Sequence, residues 1–173
     1  MEEYPWYKVV DDNEPLLQGD FVSSCPIIIP PADIKPPSVP AEVILYDVIV
    51  MTQSCDLEQR KIDLVIVCPI WPLNEYEEES VFFKSKKGKE TLRQGNLPGY
   101  HLLNKCNING FSIDYQVVDF RSIYSVGFHL LQELAKKNNN RLRLLPPYRE
   151  HLSQAFARFF MRVGLPVDIP PFK

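Results

Sequence analysis

Residues 47–68 read DVIVMTQSCDLEQRKIDLVIVC. The two ends, VIVM (48–51) and LVIVC (64–68), are β-branched and almost continuously apolar, which is the composition of strands covered on both faces. The middle, TQSCDLEQRKID, is too polar for a core and has the length of a wide hairpin loop. A loop that only had to turn would be served by Gly, Asn or Pro, and this one contains none of them. It concentrates polar and charged groups at what should be a rim. Gln53, Ser54, Cys55, Asp56, Arg60 and Lys61 are therefore candidate binding residues, with Gln53 and Asp56 offering hydrogen-bonding groups and Arg60 a charge for an anionic ligand or partner. The alternative is a structural hairpin in which Asp56 bonds nearby backbone amides.

Upstream, LLQGDFVSS (16–24) reads as a turn at Gly19-Asp20 feeding a short strand. The following CPIIIPPADIKPPSVP carries Pro26, Pro30, Pro31, Pro36, Pro37 and Pro40, and is expected to be an extended surface loop. Downstream, WPLNEYEEES (71–80) reads as an acidic loop, VFF (81–83) as a strand, and KSKKGKETLRQG as a basic segment with a short helix capped by Gly95. YHLLNKC (100–106) and FSIDYQVVDF (111–120) read as strands joined by a turn at Asn109-Gly110. Phe128, Leu131, Leu134 and Ala135 mark a helix that stops at Lys136, Lys137 and Asn138, and RLRLL (141–145) alternates like an edge strand.

The last element is the clearest. Over 148–163, Leu152, Ala155, Phe156, Phe159, Phe160 and Val163 form one wide apolar stripe, ended by Gly164 and Pro166. His151, Arg158 and Arg162 fall along one edge of it. They are candidates for an anion-binding or partner-binding edge, against the alternative of a solvated flank. The pattern as a whole predicts an α+β fold: a small, strongly bent sheet or β-barrel over about residues 16–125, SH3-like on the resemblance given below, with a short helix and a C-terminal amphipathic helix in about 126–165. All 173 residues are expected to form one domain.

Hydrophobic residues make up 45% and charged residues 24% of the chain, which fits a folded protein with a real core. A formal net charge of -3 gives no global pull toward phosphate backbones. The start, MEEYPWYK, lacks the pattern of a secretory signal and no apolar run is long enough to cross a bilayer, so a cytoplasmic protein that spans no membrane is expected. Cys25, Cys55, Cys68 and Cys106 are widely spaced, as small buried hydrophobes are. A barrel would also be able to bring Cys25 and Cys55 to one rim with His101 or His129, although the spacing is not that of a zinc site. No motif for a cofactor or metal is present, and none is expected. Trp6, Tyr7, Trp71 and Tyr76 lie among prolines and acids, where aromatic side chains serve as interface anchors.

The order of pieces resembles the MazF/PemK family of toxin endoribonucleases. The points of contact are Gly19-Asp20 before the first strand, DVIVMTQSCD, VIVCPI and VVDFRSIYSV. The resemblance implies an SH3-like barrel and RNA as substrate. Where that family has Arg-Pro and Thr-Ser, however, this chain has Tyr46-Asp47 and Trp71-Pro72. The family's active-site arginine is thus absent from its place, leaving Asp56, Arg60, Lys61 and Arg121 as the groups for such chemistry. The chain also resembles a bacterial family of this architecture. The leading expectation is a binding or regulatory module of a bacterial cytoplasmic system that engages a protein partner through rim loops and the C-terminal helix. The alternatives are a MazF-like ribonuclease with a non-standard active site, RNA as partner, and a homodimer.

Overall fold

The computed structural model describes residues 4–33, 41–108 and 110–161. In chain order the elements are β1 (Tyr7–Val10), β2 (Phe21–Ile29), β3 (Glu42–Val50), α1 (Ser54–Glu58), β4 (Leu64–Pro72), α2 (Leu73–Glu79), α3 (Val81–Lys84) and α4 (Lys86–Arg93). Then follow β5 (Tyr100–Leu103), β6 (Cys106–Ile108), β7 (Phe111–Ile113), β8 (Gln116–Asp119), β9 (Tyr124–Gly127), α5 (Phe128–Lys137), β10 (Arg141–Leu144) and α6 (Tyr148–Phe160).

The two apolar runs are paired antiparallel as expected, Val48–Val50 against Val67–Pro69. They form the middle of a six-stranded antiparallel sheet in the order β2-β3-β4-β8-β5. On its far side β4 changes partner along its length, from β9 at Leu64–Val67 to β8 at Ile70–Pro72. β1 with β10 and β6 with β7 form separate two-stranded ribbons.

The α+β class holds, but the expected closed SH3-like barrel does not form. Closure requires each edge strand to find a partner. Among the described residues β2 pairs only with β3 and β5 only with β8, so the sheet is open. The stretch from 73 to 93, which had to supply a strand if VFF were one, is three short helices separated by the extended residues Ser80 and Ser85.

Coverage of both faces explains the continuous apolar run at 48–51, whereas in 64–68 it extends only to Val67 and Cys68, and Leu64 and Ile66 are exposed. On one face Val48, Val50, Val65 and Val67 join Leu16, Val22, Leu57 and Leu131 in a core beneath α5. On the other, Ile49, Cys68 and Ile70 join Phe120, Leu144 and Leu152 beneath α6. Phe156 and Phe159 of α6 pack on Phe120, with ring centroids at 5.4 and 6.4 Å.

A buried ionic cluster fastens the β1–β10 ribbon to this sheet. Gly19, at φ +85°, makes the turn that delivers Asp20 to an isolated bridge with Arg143. Arg141 Nε donates to Asp20 Oδ2 at 2.8 Å, and Arg143 donates through Nε to Oδ1 and through a terminal nitrogen to Oδ2 at 2.9 Å. The remaining guanidinium donors go to the Asp11, Glu14 and Pro15 carbonyls and to the Glu14 carboxylate. Asp20 is 0% exposed and the arginines 3% and 4%. The alternation in RLRLL thus places arginine inside, not toward solvent.

Other expectations are corrected. The 52–63 loop contains α1, because Leu57 reaches the core and pins one helical turn. Trp71 and Pro72 complete β4, and the following acidic run is α2, whose Leu73 and Tyr76 pack on the sheet side. VFF belongs to α3, where only Phe83 is buried. β2 continues through Pro26 to Ile29, which an edge strand tolerates. The two long strands read at 100–106 and 111–120 are each split in two, and Tyr7 is buried. Residues 34–40 of the proline-rich stretch lie outside the described residues, as do Asn109 and the 162–166 end of the last helix. Among the described residues no helix is long and apolar enough to cross a membrane.

Candidate functional site

The hairpin-loop candidates sit on and beside α1. Ser54 Oγ accepts the Gln18 N–H at 3.2 Å, while Gln18 Nε2 donates to the Met51 carbonyl at 2.8 Å, so the 18–20 turn and α1 are stitched together. Cys55 is exposed, with Sγ 3.9 Å from Asp56 Oδ1. The carbonyl of Asp56, not its carboxylate, accepts from the Lys61 N–H. Gln53, Arg60 and Lys61 are exposed, and Arg60 takes φ +49°. Gln53, Ser54, Cys55, Asp56, Arg60 and Lys61 line neither of the two cavities described below. Cys25 is buried in the core under α5, away from the exposed surface that carries Cys55. Among the described residues no group of three or more His, Cys, Asp or Glu is placed to hold a metal. His151 and Arg158 do share a cavity, whereas Arg162 lies outside the described residues.

A cavity walled by aromatic rings lies elsewhere. It has a volume of about 190 Å³ and is built where β4 changes partner, roofed by α2. Four rings wall it: Tyr46 from β3, Trp71 from β4, Tyr76 from α2 and Tyr124 from β9. Tyr46 and Trp71 stand nearly perpendicular, 77° apart at 5.5 Å, while Tyr46 and Tyr124 are stacked at 5.8 Å. Perpendicular rings make two adjoining walls of a box.

Its charge is acidic. Asp119, Glu75 and Glu79 line it against one guanidinium, Arg121. Asp119 is buried and holds Arg121 in a two-pronged pair at 2.9 and 2.8 Å, also accepting the Arg121 amide at 2.9 Å. Arg121 lies over the Tyr100 ring at 4.4 Å, so its charge is already committed on two sides. Glu75 and Glu79, one helical turn apart on α2, have no ion-pair partner among the described residues. Burial and the Asp119 charge hold the Tyr76 hydroxyl well above the usual phenol range, so it stays protonated. The same two causes push the neighbouring Cys68 thiol up to about 12, which leaves it inert.

An anion entering this space would face two uncompensated carboxylates. A cation would meet ring faces and unpaired negative charge, the combination that recognises ammonium and guanidinium groups. Sequence reasoning named Trp71, Tyr76 and Arg121 singly but missed the set. Its one local signal was Asp119-Phe120-Arg121, where an aspartate at a strand end can accept the amide two residues on and so hold the arginine close in the turn. No protein-family model matches the chain, and comparison with curated proteins finds no significant match.

Proposed function

We propose that this chain is a cytoplasmic binding module of a bacterial regulatory system, and that it recognises a protein partner by taking one of the partner's lysine or arginine side chains into the aromatic cavity. The observation that carries the reading is the pairing of four ring walls with two unpartnered carboxylates, Glu75 and Glu79. Further support comes from exposed apolar surface on the β2–β3 hairpin, where Ile28 lies opposite Val43 with Leu45 beside them. The cysteines Cys25, Cys55, Cys68 and Cys106 are all free thiols, which suits a reducing compartment. The acidity of the cavity argues against using Arg121 to hold RNA phosphate there.

The test begins with the partner that copurifies from the host, whose affinity for the wild-type chain and for two variants is then compared. Trp71→Ala removes a wall, and Glu75→Gln with Glu79→Gln removes the charge while keeping shape. Both are expected to weaken binding about tenfold or more, equivalent to about 1.4 kcal/mol, and the Gln variant should keep its melting temperature because both glutamates are exposed. Undiminished binding by the folded Gln variant would sink the proposal.

A further inference from the structure

A second cavity, of about 270 Å³, lies between the α4–β5 turn and α6. Among the described residues its lining includes Arg93, His101, His151, Gln154 and Arg158, and no aspartate or glutamate. In a chain of net charge -3, a concavity with four cationic or cationisable side chains and no acid is a selective feature. We propose that this cavity binds a phosphate group, free or as a monoester.

The groups are placed for that chemistry. His151, Gln154 and Arg158 recur at i, i+3 and i+7 on the thirteen-residue α6, so one helix face presents all three to the cavity. Arg158 reaches only Gln154 Oε1, at 3.4 Å, and has no carboxylate partner among the described residues. Its fork is therefore available to a tetrahedral oxyanion. Arg93 differs: two of its nitrogens bond Glu90 at 2.8 and 2.6 Å, so it contributes field more than contacts.

His101 comes from the sheet side. It sits in β5 opposite Val118, its ring faces Phe120 at 6.3 Å, and its imidazole has no hydrogen-bond partner among the described residues. Burial, then the charges of His151 and Arg158, lower its pKa to about 4, so at neutral pH it is an uncharged ring with one N–H to donate. A half-buried imidazole with no hydrogen-bond partner among the described residues, beside a guanidinium with no carboxylate, offers donors that an anion can take up. The volume leaves room for the group to which a phosphate is esterified.

The two cavities are neighbours with opposite selectivity. Tyr100 lines the basic one while its ring also contacts Tyr76 and Arg121 of the aromatic one. The phosphate inference stands on its own residues, and failure of the aromatic-cavity reading would leave it intact.

The experiment follows the ring resonances of the three histidines, His101, His129 and His151, by NMR while the full chain is titrated with inorganic phosphate at constant ionic strength. Saturable shifts at His101 and His151, with His129 on α5 unmoved, are expected, and Arg158→Gln should weaken the affinity about tenfold at an unchanged melting temperature. Parallel titrations with phosphoserine and a nucleoside 5'-monophosphate separate the sources. Tighter binding of either ester assigns the site to a monoester, and equal affinities assign it to free phosphate. Non-saturating drifts common to all three histidines, or an affinity unchanged in Arg158→Gln, would overturn the proposal.

Discussion

Asp20 is a fully buried carboxylate that ties the β1–β10 ribbon to the main sheet. It is shared by two almost fully buried guanidiniums, and nearly every donor of the pair is spent on Asp20, Glu14 or a carbonyl of 11–15. Such a cluster is tolerable because it is complete, and breaking it by removing one member strands charges in low dielectric. Asp20→Ala is therefore expected to destabilise by about 3–5 kcal/mol, measured by urea denaturation. A loss below about 1 kcal/mol would mean that water replaces the carboxylate and the cluster is not an anchor. In the sequence this residue looked like one half of a turn. Nothing local distinguishes an aspartate that caps a turn from one that waits for arginines over a hundred positions downstream. The aromatic cavity was hard to see for the same reason: Tyr46, Trp71 and Tyr124 come from three strands and share no spacing, so only their through-space packing reveals them.

At the scale of elements, legibility followed length and periodicity. The strands at 48–50 and 64–68, α5 and α6 were readable because each repeats its pattern for several residues against a core. VFF was misread because three residues fit either period, and NEYEEES was read as a loop because its acidity hides the one face that packs; what decides both is contact, since Leu73, Phe83 and Leu92 form a small core against Val117 that a helical course brings together. The tightest point in that helical segment is Gly88. In an exposed helix Gly→Ala stabilises by about 1 kcal/mol, yet here an added Cβ would lie 1.9 Å from the Phe82 carbonyl oxygen, which is backbone and cannot step aside. The same place is fixed from the other side by Ser85, whose Oγ accepts the Gly88 N–H at 2.9 Å and donates to the Phe82 carbonyl at 2.7 Å. Gly88→Ala should thus lower the melting temperature, against the propensity rule. A rise on thermal denaturation would show that α3 and α4 are not packed this closely.

The whole molecule is a sheet with a core on each face, and each core has its own helix as cover. Because net stability is only about 5–15 kcal/mol, neither cover is dispensable. Leu152 is fully buried and Phe156 and Phe159 lie against Phe120, so ending the chain after Pro147 removes side chains worth roughly 1.5–3 kcal/mol each. Such a truncated chain is expected to lose its cooperative unfolding transition and the dispersed NMR spectrum of a packed core, and retention of both would make α6 an independent arm. The β1–β10 ribbon has a consequence for synthesis. Tyr7 is laid against Leu144, so the hairpins of β2, β3 and β4 are complete on the ribosome long before the strand that closes the second core has been translated. During that interval Asp20 has no arginine to meet and the apolar face that α6 will cover stands open. The apolar face therefore stays uncovered until residues 141–160 have emerged, and slow translation past residue 100 lengthens that exposure.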